Sequence, residues 1–235
     1  MRFRLNADPN ALREQYVNAR PFPHIVIDGL FPDAILEEVL AAFPKPDEIE
    51  WRRFESETEK KLGYWHESTL KPEIQLFLYE MNSAPMLQFL QALTGIEEGL
   101  VSDPYYGGAG PHQILPGGFL KVHVDFNWHP LLQLDRRLNM LVYLNKGWKE
   151  EYGGHLELWN RDVTQCEAKI LPVFNRTVVF STTDFSYHGH PHPLACPEGR
   201  SRKSVSFYYY SNGRPDAERS APHDTVFKKT HERDW

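Results

Sequence analysis

The segment of this 235-residue chain best equipped for chemistry is Phe119-Leu120-Lys121-Val122-His123-Val124-Asp125. On a β-strand alternate side chains share a face. Leu120, Val122 and Val124 then point into one apolar layer, while Lys121, His123 and Asp125 share the other face with Phe119. An imidazole and a carboxylate projecting side by side from a rigid element suit a divalent metal ion. One further imidazole would complete a 2-His-1-carboxylate set with open coordination positions. By itself a His-x-Asp pair is more often a simple hydrogen-bonded pair, so the reading turns on that third ligand. His188 supplies it, standing before Gly189 at the end of the run that starts at Phe180. His190 and His192 lie close by as alternatives, and three histidines so near one another also suit a solvated polar loop.

A third element, Arg202-Lys203-Ser204-Val205-Ser206-Phe207-Tyr208-Tyr209-Tyr210, alternates strictly. Arg202, Ser204, Ser206 and Tyr208 fall on one face, with Val205, Phe207 and Tyr209 on the other. An Arg beside a Ser on one face can hold a carboxylate through a planar fork plus a hydroxyl donor. Tyr143, in Leu141-Val142-Tyr143-Leu144, offers a phenolic donor for the same anion. The bland alternative for Arg202 is a strand-end arginine in solvent.

Positioning these groups requires sheet, and the chain after Leu100 has that texture. Phe119–Asp125, Leu138–Leu144, His155–Trp159, Thr177–Ser181 and Val205–Tyr210 are short β-rich runs between Gly, Pro and Asn breakers, which argues for a β-sandwich or barrel. Before it, His24–Ile27 reads as a strand closed by Asp28-Gly29. A helix follows Pro32, with Asp33 as its cap and its end before Pro44. The charged, aromatic stretch Asp47–Lys71 reads as a long surface loop or lid. Two helices are expected near Pro72–Met81 and Pro85–Leu93, with Ser83 capping the second and Gly95 just beyond it. The expected fold class is mainly β (α+β), its N-terminal helices buttressing one face of the β-core. Residues 1–235 are expected to form a single domain: 1–99 as helical support and lid, 100–212 as core, and 213–235 as a loosely packed or partly disordered polar tail.

Composition narrows the function classes. Hydrophobic residues at 41% provide for a real core, and a net charge of −6 offers no footprint for nucleic acid or anionic membrane. Two cysteines, Cys166 and Cys196, cannot build a disulfide framework and read as reduced thiols. The opening MRFRLNADPNALREQ lacks an apolar signal core, and no run is long enough to span a bilayer, so a cytoplasmic protein is expected.

Together, these pieces resemble the 2-oxoglutarate- and Fe(II)-dependent oxygenases. They are most similar to the prolyl-4-hydroxylase-like branch, which includes the hypoxia-sensing prolyl hydroxylases. The resemblance runs from about Pro116 to Tyr210 and rests on His123-Val-Asp125, Tyr143-Leu-Asn145-Lys-Gly-Trp148, Gly153-Gly154-His-Leu-Glu-Leu, His188-Gly189 and Arg202-Lys-Ser204. Pro21-Phe22-Pro23-His24 through Asp28 also looks like the family's entry strand. The resemblance implies a double-stranded β-helix core (jelly-roll, cupin-like) and makes His123, Asp125 and His188 the Fe(II) ligands at the catalytic centre. Arg202 would pair with the distal carboxylate of 2-oxoglutarate, assisted by Tyr143 and Ser204, with Arg200 or Lys203 as lesser alternatives. O2 would be the oxidant, with ascorbate as an auxiliary. The family reaction hydroxylates an unactivated C–H and releases succinate and CO2. A carboxylate at Asp125 excludes the halogenating relatives, which have a small residue there. His188 and Arg202 stand farther apart than in the hypoxia-sensing enzymes.

The implied substrate is a prolyl residue of a peptide or protein; the alternative is a free amino acid or small metabolite. Rival classes are a non-catalytic cupin-like binding or sensor protein, against which the intact His123, Asp125, His188 and Arg202 speak, and a zinc hydrolase, against which the Arg202/Ser204 pocket speaks. Candidate pocket walls are Phe126, Trp128, His129, His155 and Trp159, with Trp51 and Tyr64 from the Asp47–Lys71 loop. Oligomeric state is not legible from these residues.

Overall fold

The computed structural model describes residues 1–230. Four α-helices, α1 (Pro9–Val17), α2 (Asp33–Ala42), α3 (Pro72–Met81) and α4 (Ala84–Thr94), all lie in the first hundred residues. The strands are β1 (His24–Asp28), β2 (Arg52–Glu55), β3 (Glu59–Gly63), β4 (Gly110–Ile114), β5 (Phe119–Val124), β6 (Trp128–His129), β7 (Leu134–Tyr143), β8 (Leu156–Trp159), β9 (Cys166–Ile170), β10 (Arg176–Ser181), β11 (His188–His190), β12 (Arg202–Ser211) and β13 (Val226–Phe227).

Hydrogen bonding runs β1-β10-β7-β12-β4-β3-β5-β11-β8-β9, and it curls into the nearly closed jelly-roll barrel expected of a double-stranded β-helix. One strand joins its two halves. Leu62 and Gly63 of β3 pair with β4, while Glu59 and Lys60 pair with β5. This corrects the reading of Asp47–Lys71 as a surface loop or lid: β2 and β3 form a hairpin built into the barrel. Arg-Arg-Phe-Glu and Glu-Lys-Lys-Leu-Gly show no apolar alternation because backbone pairing, rather than a buried face, holds them.

Alternation on the central strands separates core from site. Leu138, Met140 and Val142 of β7 and Val205, Phe207 and Tyr209 of β12 face the helices, joining Val39, Ile74, Phe77 and Leu90 in the main apolar cluster. Phe77 lies edge-on to Phe31 at 5.3 Å and to Phe207 at 5.7 Å, and Tyr209 Oη donates to the carbonyl of Met81 at 3.2 Å. The opposite faces of β7 and β12 carry the polar side chains into the barrel.

Helix ends differ in detail from expectation. Pro32 occupies the cap position of α2. Asp33 is already helical, and its carboxylate accepts a hydrogen bond from Asn175 Nδ2 instead of capping. Ser83 stands at the cap position of α4, but its hydroxyl donates to Glu80 O at 2.6 Å. Gly95 ends α4 in the left-handed region, φ 75°.

The C-terminal stretch is not a loose polar tail. Val226 and Phe227 form β13 against Val124 and His123 of β5, and Asn127 Nδ2 donates to Ser220 Oγ (2.9 Å) and Ala221 O (3.0 Å). The remainder of that expectation, 231–235, lies outside the described residues. Both cysteines are free thiols, Cys196 buried and Cys166 half-buried. Among the described residues no helix is long and apolar enough to cross a membrane.

Phe77 is fully buried between helix and sheet. Phe77→Ala is therefore expected to cost about 3–5 kcal/mol of stability, from lost burial and the cavity left behind. Equilibrium chemical denaturation reads this directly; a loss below about 1 kcal/mol would mean that the helical layer does not brace the barrel.

Candidate active site

β5 and β11 lie antiparallel, with His188 opposite His123, but the register slips by one residue so that His190 faces Leu120. Three steps along β5 thus oppose two along β11, which is a β-bulge. The bulge needs Gly189. A Cβ there would lie 2.8 Å from the carbonyl oxygen of Leu120 and 2.9 Å from that of Lys121. Leu120 was expected in the apolar layer with Val122 and Val124. The extra residue turns it instead into the cavity, beside His123 and His190.

His123, Asp125 and His188 converge, with ligand-type atoms all within 4.8 Å of one another, and all three are buried. His123 Nε2 lies 3.6 Å from Asp125 Oδ1, and His188 Nε2 lies 3.5 Å from Asp125 Oδ2. Each imidazole is oriented from behind: Nδ1 of His123 donates to Lys121 O (2.8 Å), and Nδ1 of His188 donates to Ser186 O (2.9 Å). A carbonyl only accepts, so the proton sits on Nδ1 and the Nε2 lone pairs face Asp125. This donor set fits an Fe(II) ion. His190 and His192, the alternative third ligands, stand outside the cluster.

The carboxylate is held as firmly. Asp125 Oδ2 accepts from Arg136 Nη2 and Asn139 Nδ2, each at 3.0 Å. Burial opposes ionisation of Asp125, but the Arg136 charge and the two imidazoles outweigh it and hold the carboxyl well below the usual range. Arg136 is itself fully buried, its guanidinium 3.5 Å from the Tyr208 ring centroid and 4.3 Å from that of Phe126. Sequence reasoning missed Arg136 and Asn139. The register between β7 and β12 slips near Arg137, so Arg136 and Asn139 share the inner face although three positions apart.

Beyond the triad lies a narrow cavity of about 80 Å³ walled by His190, Arg202, Ser204, Ser206 and Leu141, among others. Arg202 is 5% exposed, and no carboxylate among the described residues pairs with it. Its Nε donates to Gly154 O at 2.7 Å and its Nη2 to Tyr143 Oη at 3.1 Å. Gly154, φ +71°, lets the arginine pass, since a Cβ there would lie 3.0 Å from Arg202 Cδ. Tyr143 braces Arg202 from behind and is not itself on the cavity wall. The alternatives to Arg202 point elsewhere: Arg200 Nη2 donates to Lys146 O (2.6 Å) and Lys203 Nζ to Ser201 Oγ (2.7 Å). A buried, carboxylate-free guanidinium beside a hydroxyl fits one end of a dicarboxylic acid whose other end reaches the triad.

A second cavity of about 500 Å³ opens from His123 and Asp125. Of the expected wall residues Phe126, Trp128 and His129 line it, joined by Phe54, Trp65, Tyr105, Tyr208 and Phe227. The others do not. Trp51 and Tyr64 belong to the main apolar cluster, His155 pairs with Glu150 (2.9 Å), and Trp159 packs on Val122 and Val163.

Residues 109–210 match the family model of the 2OG-Fe(II) oxygenase superfamily. Several solved structures share the fold of the chain. One is a prolyl-4-hydroxylase from Pseudomonas putida (TM-score 0.61, 18% identity, covering 88% of this chain and 100% of that one). Another is the Trichoplax adhaerens prolyl hydroxylase in complex with a hypoxia-inducible factor peptide (TM-score 0.58, 15% identity, 86% and 89% coverage). A third is HygX from Streptomyces hygroscopicus with nickel, 2-oxoglutarate and hygromycin B (TM-score 0.53, 13% identity, 91% and 96% coverage). No curated protein matches the chain by sequence.

The buried imidazoles set a pH dependence on the stability of the metal-free protein. Burial, ahead of the neighbouring His123 charge, lowers His188 from 6.5 to about 4, and burial lowers His190 well below its ordinary value. The unfolded chain takes up these protons as pH falls through 6.5, whereas folded His188 waits until about 4. Between those values the unfolded state binds more protons, so stability falls as pH falls. Melting temperatures of the metal-free protein should drop progressively from pH 6.5 towards 4; a flat or rising profile would contradict this electrostatic picture.

Proposed function

We propose that this chain is a 2-oxoglutarate- and Fe(II)-dependent dioxygenase that hydroxylates a prolyl residue of a peptide or protein, and that residues 1–235 act as one oxygenase domain. The observation that carries the dioxygenase reading is the buried Arg202, without a carboxylate of its own, on the cavity that also holds the triad. Neither a zinc hydrolase nor an empty binding barrel has use for that charge. In this reading His123, Asp125 and His188 hold the iron. Arg202, braced by Tyr143 and flanked by Ser204, takes the distal carboxylate of the cosubstrate. Bound there, Fe(II) and 2-oxoglutarate would supply the activation of O2, the oxidant, with the 2-oxo acid oxidised to succinate and CO2. The protein contributes position. Arg136 and Asn139 occupy one oxygen of Asp125, the carbonyls of Lys121 and Ser186 fix both imidazole tautomers, and the aromatic wall excludes water and aims the target C–H at the triad.

The peptide reading rests on the mouth of the larger cavity. Tyr105 and Leu131 stand 54% and 70% exposed on its wall, an apolar rim on which a chain can continue past the reacting residue. The aromatic lining suits a pyrrolidine ring, and the Trichoplax enzyme of this fold holds a peptide. HygX, with hygromycin B bound, supports the second reading, a small-metabolite hydroxylase.

Incubation with Fe(II), 2-oxoglutarate and ascorbate should add one oxygen to prolyl peptides, read by mass spectrometry, with matching succinate. Turnover of free amino acids or small metabolites alone would overturn the peptide assignment. Arg202→Ala should cost about 2–5 kcal/mol of cosubstrate binding while leaving metal affinity intact, measured by calorimetry. Unchanged cosubstrate affinity would remove Arg202 from its assigned role.

A further inference from the structure

His190 is buried on the wall of the narrow cavity, and neither Nδ1 nor Nε2 has a hydrogen-bond partner. A buried polar atom left unpaired costs free energy, so an imidazole with both nitrogens unpaired inside a cavity calls for a functional account. Its neighbours are otherwise engaged. His112 Nε2 bonds Gly108 O at 3.0 Å, Lys61 Nζ pairs with Glu59 at 2.9 Å, and His188 Nδ1 is tied to Ser186 O.

The placement of the ring follows from the β5–β11 bulge. His190 is two residues beyond His188 on the same strand, about 7 Å along it. Its pairing with Leu120 turns both side chains into the cavity that Arg202 and Ser204 also line. Arg202 has meanwhile committed Nε and Nη2, one whole edge of its fork, to Gly154 and Tyr143. A dicarboxylate between triad and arginine therefore cannot take that edge in bidentate fashion, and it needs a donor from another wall. An imidazole carries at least one N–H in either protonation state.

We propose that His190 is a cosubstrate-binding residue, its ring N–H donating a hydrogen bond to a carboxylate oxygen of 2-oxoglutarate in the cavity shared with Arg202. The proposal rests on the oxygenase reading above. It gives this chain a donor from β11 in addition to those from β12, and it explains why an unpaired imidazole is kept where an aliphatic residue would pack without cost.

The test uses Mn(II)-loaded protein and calorimetric titration with 2-oxoglutarate, comparing wild type with His190→Leu and His190→Gln. His190→Leu should weaken 2-oxoglutarate binding about tenfold or more, as for loss of a hydrogen bond to a charged group. Mn(II) affinity should be unchanged, and the metal-free variant should melt at the wild-type temperature or higher, because no protein hydrogen bond is lost. His190→Gln, which retains a donor, should recover part of the affinity. Unchanged 2-oxoglutarate affinity in His190→Leu would overturn the proposal. So would a parallel loss of Mn(II), which would put the ring at the metal, or a lowered melting temperature, which would make it structural. Failure of the wild type to bind 2-oxoglutarate would overturn the oxygenase reading and this inference with it.

Discussion

The close approach of β5 and β11 at Gly189 is the constraint on which the site depends. Two carbonyl oxygens of the bulged strand press to where any Cβ would stand, and only a glycine admits them. That contact sets His188 opposite His123 and turns Leu120 and His190 inward. The same arrangement places the carbonyls that orient both imidazoles. A metal site assembled from three buried polar side chains would otherwise be expensive. Here each group is held in its binding form by the backbone or by Arg136 and Asn139 before any ion arrives.

Charge in the barrel is distributed in two layers. Near the triad the Arg136 guanidinium, packed against the mutually perpendicular rings of Tyr208 and Phe126, compensates Asp125 directly. Farther in, Arg202 is buried with only neutral partners, a carbonyl and a phenol. The contrast is informative because a structural arginine in a barrel would be expected to look like Arg136, paired and stacked. Arg202 resembles half of an ion pair whose other half is a ligand. The apolar face of the same strands, locked through Phe207 and Tyr209 onto the helices, keeps this polar interior rigid.

Much of this was legible in the sequence. His-x-Asp on an alternating strand, a histidine before glycine, and Arg202 in register with Ser204, Ser206 and Tyr208 all depend on period-two geometry, which β12 keeps over that span. The misses at Leu120 and Arg136 share one cause. Leu120 and Arg136 lie beside bulges, where one extra residue inverts the face and defeats an alternation argument. The β2–β3 hairpin was hidden because its backbone pairs at the junction of two strands while its side chains remain charged and half-exposed. β13 is two residues long, and no pattern announces so short a strand. His190 was visible only as a spare ligand; that it stands apart from the triad with both nitrogens unpaired is a property of packing.

The central claim is that the triad and Arg202 form one site for a chelated 2-oxo acid. It is tested most directly by anaerobic addition of Fe(II) and then 2-oxoglutarate to the metal-free protein, watching for the visible charge-transfer band of the chelate. The account predicts the band in the wild type and its absence in Asp125→Ala. Tight metal binding by the wild type with no band on addition of 2-oxoglutarate would contradict it.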